Sequence, residues 1–153
     1  MAIKQYAIFV LPFAVLLDER PTVRRLAALA LKAVLVAALV TIPAALWNPH
    51  AFFDSVVAFQ ARQPFRPDAL SYLAWSAPQG IPRLPLSTGF LILIPTLALV
   101  LVRAPRTASG FAAGSAILFL GFFSFAKQAF CNYYMLVVGA LCCAAASARI
   151  GAP

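Results

Sequence analysis

Acidic side chains are nearly absent from this sequence. Asp18, Glu19, Asp54 and Asp68 are the only four in 153 residues, and only 10% of the chain is charged. Soluble domains carry about 25% charged and about 45–50% apolar residues, whereas this chain is 63% hydrophobic. A soluble domain this small leaves a large fraction of its surface in water, so it has no interior for that much apolar area. Histidine occurs once, as His50, which excludes a His-based metal cluster, and the four carboxylates are dispersed. Neither a metal nor a cofactor is expected. Cysteine is equally uninformative: Cys131, Cys142 and Cys143 are odd in number, form no CxxC pair and lie in or beside an apolar run. They read as small polarizable packing residues. No nucleophile–base pair stands out, and no glycine-rich phosphate loop is present. Gly110 and Gly114 instead have the Gly-x-x-x-Gly spacing that lets helices approach closely.

What the chain does have is long apolar runs, at 5–17, 26–46, 84–102, 111–126 and 129–148. A membrane-crossing helix needs about 20 residues, so the expected fold is all-α. It is a polytopic transmembrane bundle of about five spans, forming a single transmembrane domain over 1–153. The first run is short. A signal peptide would need small residues after it, where Asp18-Glu19-Arg20-Pro21 stands instead.

The net charge of +8 does not point to nucleic acid, because the cations flank apolar runs rather than forming a basic face with interleaved aromatics. Alternating spans put Arg20, Arg24, Arg25, Arg103, Arg106 and Arg149 on one side. Lys4, Arg62, Arg66, Arg83 and Lys127 fall on the other, mostly in one long loop. Short basic loops stay cytoplasmic, so the 47–83 loop is expected outside and the C-terminus inside. Lys32 lies within the second run and can snorkel to the interface near Arg24 and Arg25.

The long loop has local order. Asn48-Pro49 is a helix start, with asparagine as cap and proline at the first helical position. Phe52, Val56 and Phe59 follow as an apolar stripe, which predicts an interfacial amphipathic helix. Trp47, Tyr72 and Trp75 fit an interfacial aromatic belt. Prolines 64 and 67 push their neighbours out of helical conformation, predicting an extended, stiff hexamer 63–68, after which Asp68 caps a short helix through Trp75.

Two clusters stand out as candidate sites. Arg62, Arg66 and Asp68 put two guanidiniums on a membrane-proximal segment, which suits a bidentate phosphate clamp. An Arg–Asp pair that pins the loop accounts for the same residues, and the two roles can coexist. The second cluster is 127–134, Lys-Gln-Ala-Phe-Cys-Asn-Tyr-Tyr, between two apolar runs. Were it helical from Gln128, Gln128 and Asn132 would share a face, as would Lys127 and Cys131. Polar groups at a span end pair with one another or with a ligand. Lys4-Gln5 repeats Lys127-Gln128 at the start of another apolar run on the same side. Four cations beside an interface fit an anionic lipid head group or a lipid-linked phosphate.

The segments Lys-Gln-Tyr-Ala-Ile-Phe-Val-Leu-Pro at 4–12, Gln-Pro-Phe-Arg-Pro-Asp-Ala-Leu-Ser at 63–71 and 127–134 occur in an order that resembles the C-terminal half of bacterial GT-C membrane glycosyltransferases. The likeness is to the mannosyltransferase-like branch that uses polyprenyl-phosphate sugars. This resemblance implies a bacterial inner-membrane transferase, with the donor phosphate at the outer interface and a glycan or glycolipid acceptor. It assigns Lys4, Arg62, Arg66 and Lys127 to the donor phosphate, and Gln128, Asn132, Tyr133 and Asp68 to the substrate lining. The family's catalytic acid lies in an early outer loop with no counterpart here, so Met1 is expected to fall mid-protein and the chain alone to be inactive. The alternative reading is a non-catalytic membrane component, such as part of a lipid or polysaccharide transporter; a purely structural membrane protein leaves the Arg62–Asp68 and Lys127–Asn132 clusters unexplained. A transporter favours polar or broken segments at mid-membrane, and Pro12, Pro43 and Pro95 could break spans.

Overall fold

The structure, a computed structural model, describes residues 5–18, 21–62, 64–81, 84–85 and 87–150; the side chains of 5–7, 60–61 and 149–150 lie outside that description. Every regular element among the described residues is helical. The chain divides into two compact units, one of residues 1–11 with 20–64, the other of 12–19 with 65–153.

The first unit is dominated by α1, Val23–Trp47, whose 25 residues have a mean hydropathy of 2.3 over their most apolar window and bury none of it. At 1.5 Å per residue such a helix runs about 38 Å, longer than the roughly 30 Å hydrocarbon core. A soluble protein's core helix would be covered; this one is bare. α1 stops at Asn48, whose backbone turns extended and whose side chain accepts from the Ala51 N–H at 3.0 Å, with Pro49 at the first position of α2 (Pro49–Phe53). The cap is the one the sequence predicts.

After α2 the helix widens into a π-turn over Asp54–Ala58 and resumes as α3, Phe59–Arg62. A π-turn takes more residues per turn than an α-helix, which breaks the expected stripe. Phe52 and Val56 are half-buried, but Phe59 is 56% exposed, together with Phe53 and Val57. Across the π-turn Phe59 no longer follows Phe52 and Val56 at α-helical spacing, and it is the most exposed of the three.

In the second unit α6, Ala108–Ser124, is the central element. It packs between α5, Thr88–Arg103, and α7, Cys131–Ile150. Apolar around its whole circumference, it buries Ala112, Ala116, Leu118, Phe119, Phe122 and Phe123, as a helix enclosed by others should. The apolar run 5–17 forms a 3₁₀ helix, Gln5–Leu17, and its Phe13 and Leu16 are almost fully buried. Phe123 anchors an aromatic cluster: Phe119 stacks on it at 5.5 Å, and Phe122 and Tyr133 meet it edge-on at 5.8 and 5.1 Å.

Small residues set the helix spacing. A Cβ at Gly114 would run into the Val100 side chain on α5, so α5 and α6 approach closely there. Gly110 does something else, accommodating the Pro105 carbonyl of the α5–α6 turn. The Gly-x-x-x-Gly pair thus serves one helix contact and one turn.

α1 and Cys131–Ala148 of α7 are long and apolar enough to cross a membrane, with 0% and 6% of their apolar windows buried. α5 and α6 are shorter, at 16 and 17 residues. The expected span at 84–102 begins as a helix only at Thr88, after Pro85, whose carbonyl accepts from both the Thr88 N–H and the Thr88 hydroxyl.

Candidate functional site

The second unit brings two sequence clusters together. Residues 64–68 are not extended throughout. The chain turns at Pro67–Asp68, and the Ala69 N–H bonds back to the Arg66 carbonyl at 3.2 Å. Proline at the second position favours such a turn through its fixed φ. Arg66 and Asp68 thereby face each other across the turn. The Arg66 Nε donates to Asp68 Oδ1 at 3.0 Å and Nη2 to Oδ2 at 2.9 Å, a two-pronged pair. This hydrogen bonding holds the Asp68 carboxyl below the usual carboxylate range and raises the Arg66 guanidinium further.

Asp68 is therefore not the helix cap. Ser71 takes that role for α4, Tyr72–Ser76, accepting from the Ala74 N–H at 3.4 Å. Both oxygens of Asp68 are held by Arg66, and Ser71 is the residue directly before the helix.

Beyond the turn the chain docks on the other cluster. The Leu70 N–H donates to the Ala129 carbonyl at 2.6 Å, and the Tyr134 hydroxyl donates to the Leu70 carbonyl at 2.5 Å. The Arg66 guanidinium lies 5.5 Å from the centre of the Phe130 ring, within reach of a cation–π attraction. Residue 129 can accept from Leu70 because 126–130 is not helical: α7 begins at Cys131 rather than Gln128. The proposed sharing of a helical face by Gln128 and Asn132, and by Lys127 and Cys131, falls with that start point.

The remaining candidates are distributed as follows. Arg62 belongs to the first unit and donates to Asp54 Oδ1 at 2.7 Å and to the Ala58 carbonyl at 3.3 Å, reaching back along the π-turn. Lys127 and Gln128 are half-buried, Asn132 is exposed, and Tyr133 packs between Phe123 and Phe130. Lys4 lies outside the described residues. Arg66, Asp68 and the 127–134 segment are thus assembled in one unit, while Arg62 sits in the other.

Beside the Arg66–Asp68 turn is a cleft of about 600 Å³, walled by Tyr72 and Trp75 of α4, Ser124 and Phe125 at the end of α6, Tyr134 of α7, and Pro67, Ala69, Leu70 and Ser71 of the loop. Gln128, Asn132, Tyr133 and Asp68, the residues expected to line the substrate, are not among its walls. Its size falls within the roughly 300–1,000 Å³ of ligand pockets. Tyr72 and Trp75 read in sequence as interfacial aromatics, and Tyr134 as the end of the 127–134 cluster. The signal for the cleft was the i, i+3 spacing of Tyr72 and Trp75 on a short helix, which needs a partner wall to acquire meaning.

No family model, curated protein or solved structure matches this chain. Among the described residues no group of His, Cys, Asp and Glu is arranged to hold a metal.

Proposed function

We propose that the chain is part of a polytopic bacterial inner-membrane glycosyltransferase that takes its sugar from a polyprenyl-phosphate donor at the non-cytoplasmic face. About five apolar segments cross the membrane in this reading. The 47–83 loop lies outside and the C-terminus in the cytoplasm, as the arginine distribution favours.

One observation carries the reading: the docking of the Arg66–Asp68 turn onto 127–134. Residues separated by some 60 positions converge on one end of α7, a helix apolar enough to cross a membrane. Cationic and polar groups gathered at a span end suit a lipid-borne phosphate. Asp68 engages Nε and Nη2 of Arg66, and Nη1 is the guanidinium's further edge for an anion. A planar guanidinium can bridge a carboxylate and a phosphate at once. Lys127 supplies a second cation in the same unit.

The test is binding by the full chain in lipid nanodiscs, followed by native mass spectrometry with a short-chain polyprenyl-phosphate hexose. Retention of that ligand, with loss in Arg66→Ala and no retention of the matching polyprenyl alcohol, is the expected result. Equal retention of alcohol and phosphate would sink the proposal.

A further inference from the structure

α4 is a five-residue helix with Leu73, Ala74 and Ser76 buried, yet its Trp75 is 56% exposed and lines the cleft. Tyr72 lies 5.6 Å from Trp75 and 5.6 Å from Phe125, with interplanar angles of 41° and 38°, so three rings make one curved aromatic wall. Opposite chemistry completes the cleft. Tyr134 spends its proton on the Leu70 carbonyl and keeps oxygen lone pairs for accepting. Ser124 brings a hydroxyl to the same lining. α6 also ends in this wall at Ser124. The Phe122 and Phe123 carbonyls there already accept from the Phe125 and Ala126 N–H groups, and the partial negative charge of a helix C-terminus disfavours anions.

From this combination we infer that the cleft binds a neutral carbohydrate ring, stacked on Trp75 and Tyr72 with a hydroxyl directed to the Tyr134 oxygen. An anion is directed instead to Arg66, next to the cleft but not among its walls. A prenyl chain would use the rings but offer nothing to the Tyr134 oxygen, and covering a polar atom without adding a partner is costly. The assignment deepens the glycosyltransferase reading and rests on it for the identity of the carbohydrate as donor sugar or acceptor glycan. The aromatic contact itself is independent of the phosphate.

Trp75 reports on its own cleft. In nanodiscs, with Trp47→Phe removing the other tryptophan, methyl hexosides and short oligosaccharides should shift or quench the Trp75 emission saturably. Trp75→Phe should weaken oligosaccharide binding, followed by calorimetry, by roughly three- to tenfold, and Tyr134→Phe should leave the aromatic response but lower affinity. Circular dichroism and melting of each variant separate lost binding from lost folding. Two results overturn the inference. One is no response to any saccharide with strong quenching by brominated lipid, which makes Trp75 an interfacial anchor. The other is a response to short prenyl alcohols alone, which makes the cleft a chain site. Phosphate-dependent retention at Arg66 without a saccharide response would remove this inference while leaving the donor-binding proposal standing.

Discussion

Tyr134, in the first turn of α7, donates its hydroxyl to the carbonyl of Leu70 at 2.5 Å, tying the helix to a loop 64 residues earlier in the chain. With the Leu70 N–H bonded to Ala129, both backbone groups of one loop residue are held by the same segment. This clip positions the Arg66–Asp68 turn four residues upstream and the cleft wall immediately downstream.

Tyr134→Phe tests the clip with little loss of ring packing, since the ring meets Phe123 at 6.3 Å in either case. Losing one hydrogen bond should cost about 0.5–1.5 kcal/mol, seen as an earlier thermal transition in nanodiscs. Protease cleavage between 66 and 71 should accelerate. An unchanged cleavage rate would mean that the Leu70–Ala129 bond alone holds the loop.

Arg66 and Asp68 separate a binding role from a pinning role. Their pair is exposed, with side-chain accessibilities of 50% and 59%, so solvent screening leaves it little weight in the stability of the fold. Arg66→Ala is expected to weaken donor binding roughly 10- to 150-fold, the worth of a charge-assisted contact of about 1.5–3 kcal/mol. Arg66→Lys should recover part of it, because an ammonium lacks the planar fork. Equal damage from Asp68→Ala, with early melting in both variants, would reduce Arg66 to a pin.

The same pair sets a pH dependence. Hydrogen bonding from Arg66 lowers the Asp68 pKa in the folded chain, so the native state binds this proton less tightly than the unfolded chain does. The contribution is fully present above the ordinary carboxylate value of about 3.9 and disappears as pH falls through the lowered folded value. Trp75 emission should therefore hold steady from neutral pH down to about 4 and change below it. Asp68→Asn should abolish that acid step. A step near neutral pH that survives in Asp68→Asn would assign the transition to another group.

Close packing of α5 on α6 depends on Gly114. Gly114→Ala places a methyl against Val100 and should destabilise by about 1–3 kcal/mol through overpacking. Val100→Ala should relieve much of that cost, giving a non-additive double-mutant cycle. Gly139→Ala, where nothing lies within 4 Å of the added atom, serves as the helix-interior control. Equal effects at the two glycines would dissociate Gly114 from the helix spacing.

Local chemistry alone determined a good deal of this protein. The 63% apolar composition dictates helices that seek an apolar solvent. Asn48-Pro49 dictates where α2 starts, because the cap bond closes over three residues. Proximity also made an Arg66–Asp68 pair foreseeable. Tertiary structure decided the rest. The 126–130 segment, which is not helical, leaves the Ala129 carbonyl to pair with Leu70, far earlier in the chain, and the Tyr134 hydroxyl donates to the same loop residue. Propensity and periodicity act over a few neighbouring residues, whereas a backbone carbonyl carries no mark in sequence of the distant N–H that it will accept. The cleft belongs to the second category, since its walls come from α4, α6 and α7 and exist only once α6 is packed.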